Sequence, residues 1–179
     1  VTIQIAVFAA ILGVVIGTVI ALMKMSTTRT GKRTIFSYLA QAYIDIIRGT
    51  PSVLQLLIMW FIVMSSSKNG VLVAVLTFGI NSGAYVSEIM RAGIQAVDHG
   101  QMEAGRSLGL SKAQTMRYII LPQAIKNVLP PIGNEFIVLL KETAIVGYVS
   151  LSDLTRVASQ VTSRTYEAFM RLIGAAVIY

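Results

Sequence analysis

Apolar residues fall into long runs along this chain, and the polar residues fall between them. The first run, Thr2 to Met23, carries no charge and is long enough to cross a bilayer, which takes about 20 helical residues. A basic loop with Lys24, Arg29, Lys32 and Arg33 follows. Next comes the amphipathic stretch IFSYLAQAYIDII (35–47), then RGTP at 48–51, then an apolar run from Ser52 to Met64. Pro51 lacks an amide donor and disfavours helix at Thr50, so a bend is expected there; the second span is placed at about 43–64. After a polar loop, Ser65 to Asn69, a third span is predicted from Gly70 to Met90. A fourth, from Ile125 to Ser150, is expected to be broken at Pro130-Pro131 and Gly133. A polar stretch, 152–167, precedes Ala168 to Tyr179. That last run is too short to span, so the sequence reads as a fragment of a longer chain whose final helix is cut off, or whose ends are disordered.

Gly13 and Gly17 in the first span, and Gly79 and Gly83 in the third, have GxxxG spacing. Such pairs permit close helix contact, although glycine is common in membrane helices anyway. Hydrophobic residues make up 55% of the 179 positions and charged ones only 13%, against about 25% in soluble domains. The net charge of +7 comes from bases beside apolar runs, a topology signal rather than a nucleic-acid footprint. Loop 24–33 holds four bases, and loop 91–126 holds Arg91, Arg106, Lys112, Arg117 and Lys126. The opposite side holds Lys68, Arg156 and Arg164. The positive-inside rule puts the two rich loops in the cytoplasm. Cysteine is absent and His99 is the single histidine, which excludes thiol chemistry and a multi-histidine metal centre.

The rich loop contains EAGRSLGLSKAQTMRYIILP at 103–122. Helical propensity over Gln101 to Leu108 ends at Gly109, a helix stop. Ser111 with Gln114 three residues later predicts a capping box. The second helix gathers Met116, Ile119 and Ile120 on one side, away from Lys112 and Arg117. Two short capped helices form a knob, either a docking element or a helical loop lying on the membrane. Gly31-Lys32 is no phosphate loop, because Ser26 and Arg33 occupy positions that require glycine and Ser/Thr.

Glu103-Ala104-Gly105, three residues, Gly109, then Ile119-Ile120-Leu121-Pro122 resembles the EAA motif of permease subunits of binding-protein-dependent ABC importers. RGTP with Gln55, NSGAYVSEIMRAGIQAV (81–97) and PPIGNEFIVLLKETAIVG (130–147) resemble the polar amino acid (His/Gln/Arg-type) branch. Gly105 departs from the second alanine common there. The resemblance implies an all-α, polytopic membrane protein. Residues 1–179 would be a single transmembrane permease domain, a five-span core with its fifth helix truncated, and 98–122 the cytoplasmic coupling loop. Glu103, Ala104, Gly105, Gly109, Leu110 and Ser111 would then seat on a separate ATPase. The chain would be no enzyme and would hold no cofactor, with ATP and Mg bound by that partner. The implied partners are an ATPase dimer, a second copy of the permease, an extracytoplasmic binding protein, an amino acid and membrane lipid, in a prokaryotic plasma membrane and with no nucleic acid.

Ionisable groups cost at least about 2.5–3.5 kcal/mol each at mid-bilayer, so they face a cavity or a partner. A free amino acid needs acceptors for its ammonium and donors for its carboxylate. Asn81, Ser82 and Tyr85 offer neutral hydrogen bonds; Arg48, Glu135, Lys141 and Glu142 offer charge. The structural alternative pairs Glu135 or Glu142 with Lys141, Arg48 or a backbone amide. An acidic cavity hints at a basic amino acid. A secondary transporter driven by an ion gradient is the rival reading. It would bring internal repeats and an ion site made by broken helices, and the sequence contains no repeat.

Overall fold

The computed structural model describes residues 1–26, 33–149, 151–165 and 169–178; Arg29 and Lys32 of the basic loop lie outside them. Its elements are helical: α1 (Thr2–Met25), α2 (Ile35–Gly49), α3 (Ser52–Ile58), α4 (Gly70–Gln95), α5 (His99–Ser107), α6 (Lys112–Thr115), α7 (Leu121–Glu142), α8 (Leu154–Thr165) and α9 (Phe169–Ile178). Among the described residues, α1 and α4 are each long and apolar enough to cross a membrane, and α2 with α3 adds one broken span. The predicted count of five is therefore not reached by length and composition alone.

The α1–α4 pair is the centre of the fold. On α1 the small residues Ala6, Ala9, Gly13, Gly17 and Ala21 are buried, while Phe8, Ile11, Val15, Val19 and Leu22 are exposed. Large outside and small inside is the pattern expected where lipid surrounds the helices and close backbone approach holds them together. Both predicted GxxxG pairs lie in this seam. A methyl group on Gly13 would come within 2.9 Å of Ser82 Cβ, and one on Gly17 within 2.7 Å of Val86 Cβ. In return, a methyl group on Gly79 would come within 2.5 Å of Leu12, and one on Gly83 within 2.7 Å of Ile16.

The bend at RGTP is present but sharper than a kinked span. α2 begins at Ile35, not near 43, and meets the α3 arm at 103°, so 43–64 is not one helix. Thr50 is extended (φ −115°, ψ 142°), as a residue before proline prefers. Pro51 leaves the Ile47 carbonyl without its usual i+4 donor. The Gln55 side chain replaces it, donating from Nε2 to Ile47 O at 2.8 Å and to Thr50 Oγ1 at 2.7 Å.

The fourth segment corrects two expectations. α7 starts at Leu121 and runs unbroken through Pro130 and Pro131 to Glu142; a 3₁₀ stretch, Thr143–Val149, follows. Its first half is fastened to α4, where Val128 fills the space over Gly93 and Asn127 Nδ2 donates to Gly93 O. That packing outweighs the local cost of the prolines, as membrane helices allow when neighbours hold the backbone. Ile5, Ala9, Leu56, Phe78, Leu139 and Val146 form the main apolar core. A smaller core of Val97, Ile120 and Ala124 is covered by Met102 of α5 and by Met116, just after α6. The polar stretch after 152 is helical, with Asp153 accepting from the amides of Thr155 and Arg156.

Overpacking the seam should be costly. Gly17→Val is expected to lower unfolding stability by about 1–3 kcal/mol, read as a lower detergent melting temperature. Gly133→Ala, where a methyl group meets nothing, should leave it unchanged or slightly raised.

Candidate functional site

Two groups of residues stand out from the apolar frame. The first is a polar cluster at the middle of α4. Ser82 Oγ donates to Glu135 Oε1 at 2.9 Å, joining α4 to α7. One turn along α4, the Tyr85 ring lies under the Arg48 guanidinium at 5.0 Å, a cation–π distance. The Arg48 charge acts on Glu135, and the Glu135 charge on Glu142. Glu142 lies seven residues beyond Glu135, two turns along the same α7 face. Among the described residues, Glu142 has no hydrogen bond or ion pair. The elbow at RGTP therefore carries Arg48 to a patch holding two carboxylates.

Of the seven candidates, Arg48, Ser82, Tyr85, Glu135 and Glu142 are brought together. Asn81 shares the helix but turns toward α3, donating to Gln55 Oε1 at 3.0 Å. Lys141 is exposed, apart from the cluster; adjacent helical positions differ by about 100°, so it cannot share the Glu142 face. The structural pairing of Glu142 with Lys141 is thus absent. Two contributors were not among the site candidates, although Gln55 stood in the family-like phrase with RGTP. Gln55 rigidifies the elbow, and Tyr43 donates its hydroxyl to Ile80 O. A glutamine four residues after proline is a legible signal for the first; nothing in the sequence marks the second.

A different fate meets Glu88, at the basic end of α4. It pairs with Lys24 of α1 and, at 2.8 Å, with Arg91, so it is a structural clasp outside the cluster.

The second group is the knob. Asp98 caps α5 by accepting from Gly100 N at 2.6 Å. At the other end, Gly109 N bonds Arg106 O and Leu110 N bonds Gly105 O, the pair of bonds that closes a helix on a left-handed residue. Gly109 has φ +85°, where glycine avoids the strain other residues carry. The capping box is present: Ser111 N bonds Gln114 Oε1 at 2.8 Å and Gln114 N bonds Ser111 Oγ at 3.3 Å. Glu103, Ala104, Gly109 and Ser111 are exposed, Leu110 is half-buried and Gly105 is buried. Thr115 explains Gly105. A methyl group at 105 would come within 2.5 Å of Thr115 Cγ2, and Thr115 is itself fully buried. Gly105 thus shapes the knob from within.

A family model described as the inner membrane component of binding-protein-dependent transport systems matches residues 13–179. The chain belongs to that family. This permease is 43% identical over 182 residues to the arginine transport system permease protein ArtQ of Bacillus subtilis, covering all of this chain and 81% of the relative. It is 35% identical over 175 residues to the glutamine transport system permease protein GlnP of Escherichia coli, covering 95% and 79%. Among solved structures, a crystal structure of an amino acid ABC transporter with histidines superposes at TM-score 0.89 and 48% identity, covering 99% of this chain and 82% of that one. The methionine ABC transporter MetNI in an inward-facing form shares the fold at TM-score 0.81, with 19% identity and 99% and 83% coverage.

The knob of this permease offers a stability test. Gly105→Ala alone should destabilise it despite alanine's helix propensity, whereas Thr115→Ala with Gly105→Ala should recover. The coupling in the double-mutant cycle is expected at about 0.5–3 kcal/mol, measured by hydrogen exchange of the α5 amides.

Proposed function

We propose that this permease is the transmembrane subunit of an ATP-driven importer that moves a polar, basic amino acid by alternating access. The observation that carries the reading is the meeting of Arg48 with the Glu135–Glu142 face beside Ser82 and Tyr85. A zwitterion needs both signs at once. Arg48 is suited to the α-carboxylate, because a guanidinium presents paired donors to carboxylates. The two acids are suited to the α-ammonium and a cationic side chain. Two carboxylates against one guanidinium leave the patch acidic, which favours a cationic solute. The arginine permease similar to this chain supports that choice.

Coupling is assigned to the knob, 98–122. Glu103, Ala104, Gly109 and Ser111 present its outer surface to a separate ATPase, while Gly105 and Leu110 hold its shape. ATP and Mg belong to that partner. The assembly is two copies of this chain, two ATPase chains and a substrate-binding protein on the opposite side, in a prokaryotic plasma membrane. The knob and the basic ends of α1 and α4 face the cytoplasm, in keeping with the bases there. Residues 1–179 act as one transmembrane domain.

Uptake by proteoliposomes holding the complete transporter and its binding protein tests both assignments. Glu103→Lys should abolish ATP-dependent uptake and release the ATPase while leaving the permease folded. Glu142→Gln should keep the ATPase bound and weaken transport of a basic amino acid at least tenfold. Normal uptake with Glu103→Lys would refute the coupling assignment, and an unchanged Glu142→Gln would refute the site.

A further inference from the structure

At the basic end of the molecule, α1, α2 and α4 enclose a cavity of about 510 Å³ lined by Lys24, Arg33, Ser37, Gln41, Arg91 and Gln95. We infer that this cavity binds the phosphate headgroup of an anionic phospholipid. Three cations face it, and Glu88 is the single carboxylate paired with them among the described residues, so it keeps a charge surplus of two. Lys24 and Arg91 are held in place by Glu88, and Arg91 also donates to Gln95. Ser37 Oγ donates to the Lys24 carbonyl at 2.8 Å, fixing the start of α2 against the end of α1. Arg33 makes no hydrogen bond or ion pair among the described residues and stands exposed at the rim. The walls are thus preorganised around one cation left to bind.

A free anion would need only the cations. A lipid also needs somewhere for its acyl chains, and α2 supplies it. Its outer face carries Ile35, Phe36 and Leu39, all more than half exposed, within the same turns that place Ser37 and Gln41 in the cavity. Tyr38, 62% exposed, suits the boundary between headgroups and chains. Basic pockets between membrane helices on the cytoplasmic side select acidic headgroups in this way.

The test uses the complete transporter, equilibrated with an equimolar mixture of phosphatidylglycerol and phosphatidylcholine, then purified in detergent with its retained lipid counted by native mass spectrometry. The parent should retain phosphatidylglycerol in preference. Arg33→Gln should lower that preference about five-fold, the effect of one interfacial cation, Arg33→Lys should restore it, and Lys68→Gln, at the other end of the molecule, should not change it. Equal retention of the two lipids by the parent, or an unchanged preference in Arg33→Gln, overturns the inference. Loss of the lipid on adding inorganic phosphate alone would assign the cavity to a free anion and overturn it as well.

Discussion

Four glycines hold α1 and α4 together by removing the side chains that would keep their backbones apart. Gly13 and Gly17 lie on one helix and Gly79 and Gly83 on the other, each against a branched or polar neighbour across the seam. Inside a bilayer, apolar area alone does not favour helix association, because lipid tails are as apolar as leucine; close packing has to supply it. Once the seam is closed, α4 is fixed and the other elements attach to it. Tyr43 bonds its backbone from α2, Asn81 reaches Gln55 of α3, and Ser82 reaches Glu135 of α7. Each attachment is polar and part-buried.

The charges divide into two kinds as a result. Glu88 is spent on Lys24 and Arg91 at the basic end, where it ties α1 to α4. Glu135 and Glu142 are spent on nothing comparable: one accepts from a serine and the other has no ion pair or hydrogen bond among the described residues. Half-buried carboxylates without a close ion pair are costly in a membrane helix, and the proposed function gives them a role, because a cationic solute would supply that charge for part of a cycle. The knob shares the logic in mechanical form. Its inner face packs on Val97, Ile120 and Ala124, continuous with α4 and α7, while its outer face remains bare.

What could be read from the residues followed local rules. GxxxG spacing located the seam, proline after threonine located the elbow, and Ser111 with Gln114 located a helix start. What could not be read depended on partners distant in sequence. Continuity of α7 through Pro130-Pro131 needs Gly93 across the interface. Gly105 reads by propensity as a poor replacement for alanine, but Thr115, ten residues on, fills its space. Lys141 entered the candidate site by type and left it by angle. A count of spans by hydropathy misses α7 for a related reason: it carries its prolines and charges where packing, rather than hydropathy, keeps it helical.

Because Met102 of the knob packs with Ile94 and Val97 at the end of α4, the coupling proposed for the knob requires that the two move as one body. The chain has no cysteine, so paired labels can be placed at will. In the complete transporter, pulsed electron–electron distances would be measured between labels at exposed Leu108 on the knob and exposed Leu72 near the far end of α4. The same experiment would record Leu108 to Leu108 across the two copies of the proposed assembly. On ATP binding, the first distance should stay constant while the second shifts. A change in the Leu72–Leu108 distance with ATP would mean that the knob bends away from α4, and would contradict the coupling proposed for it.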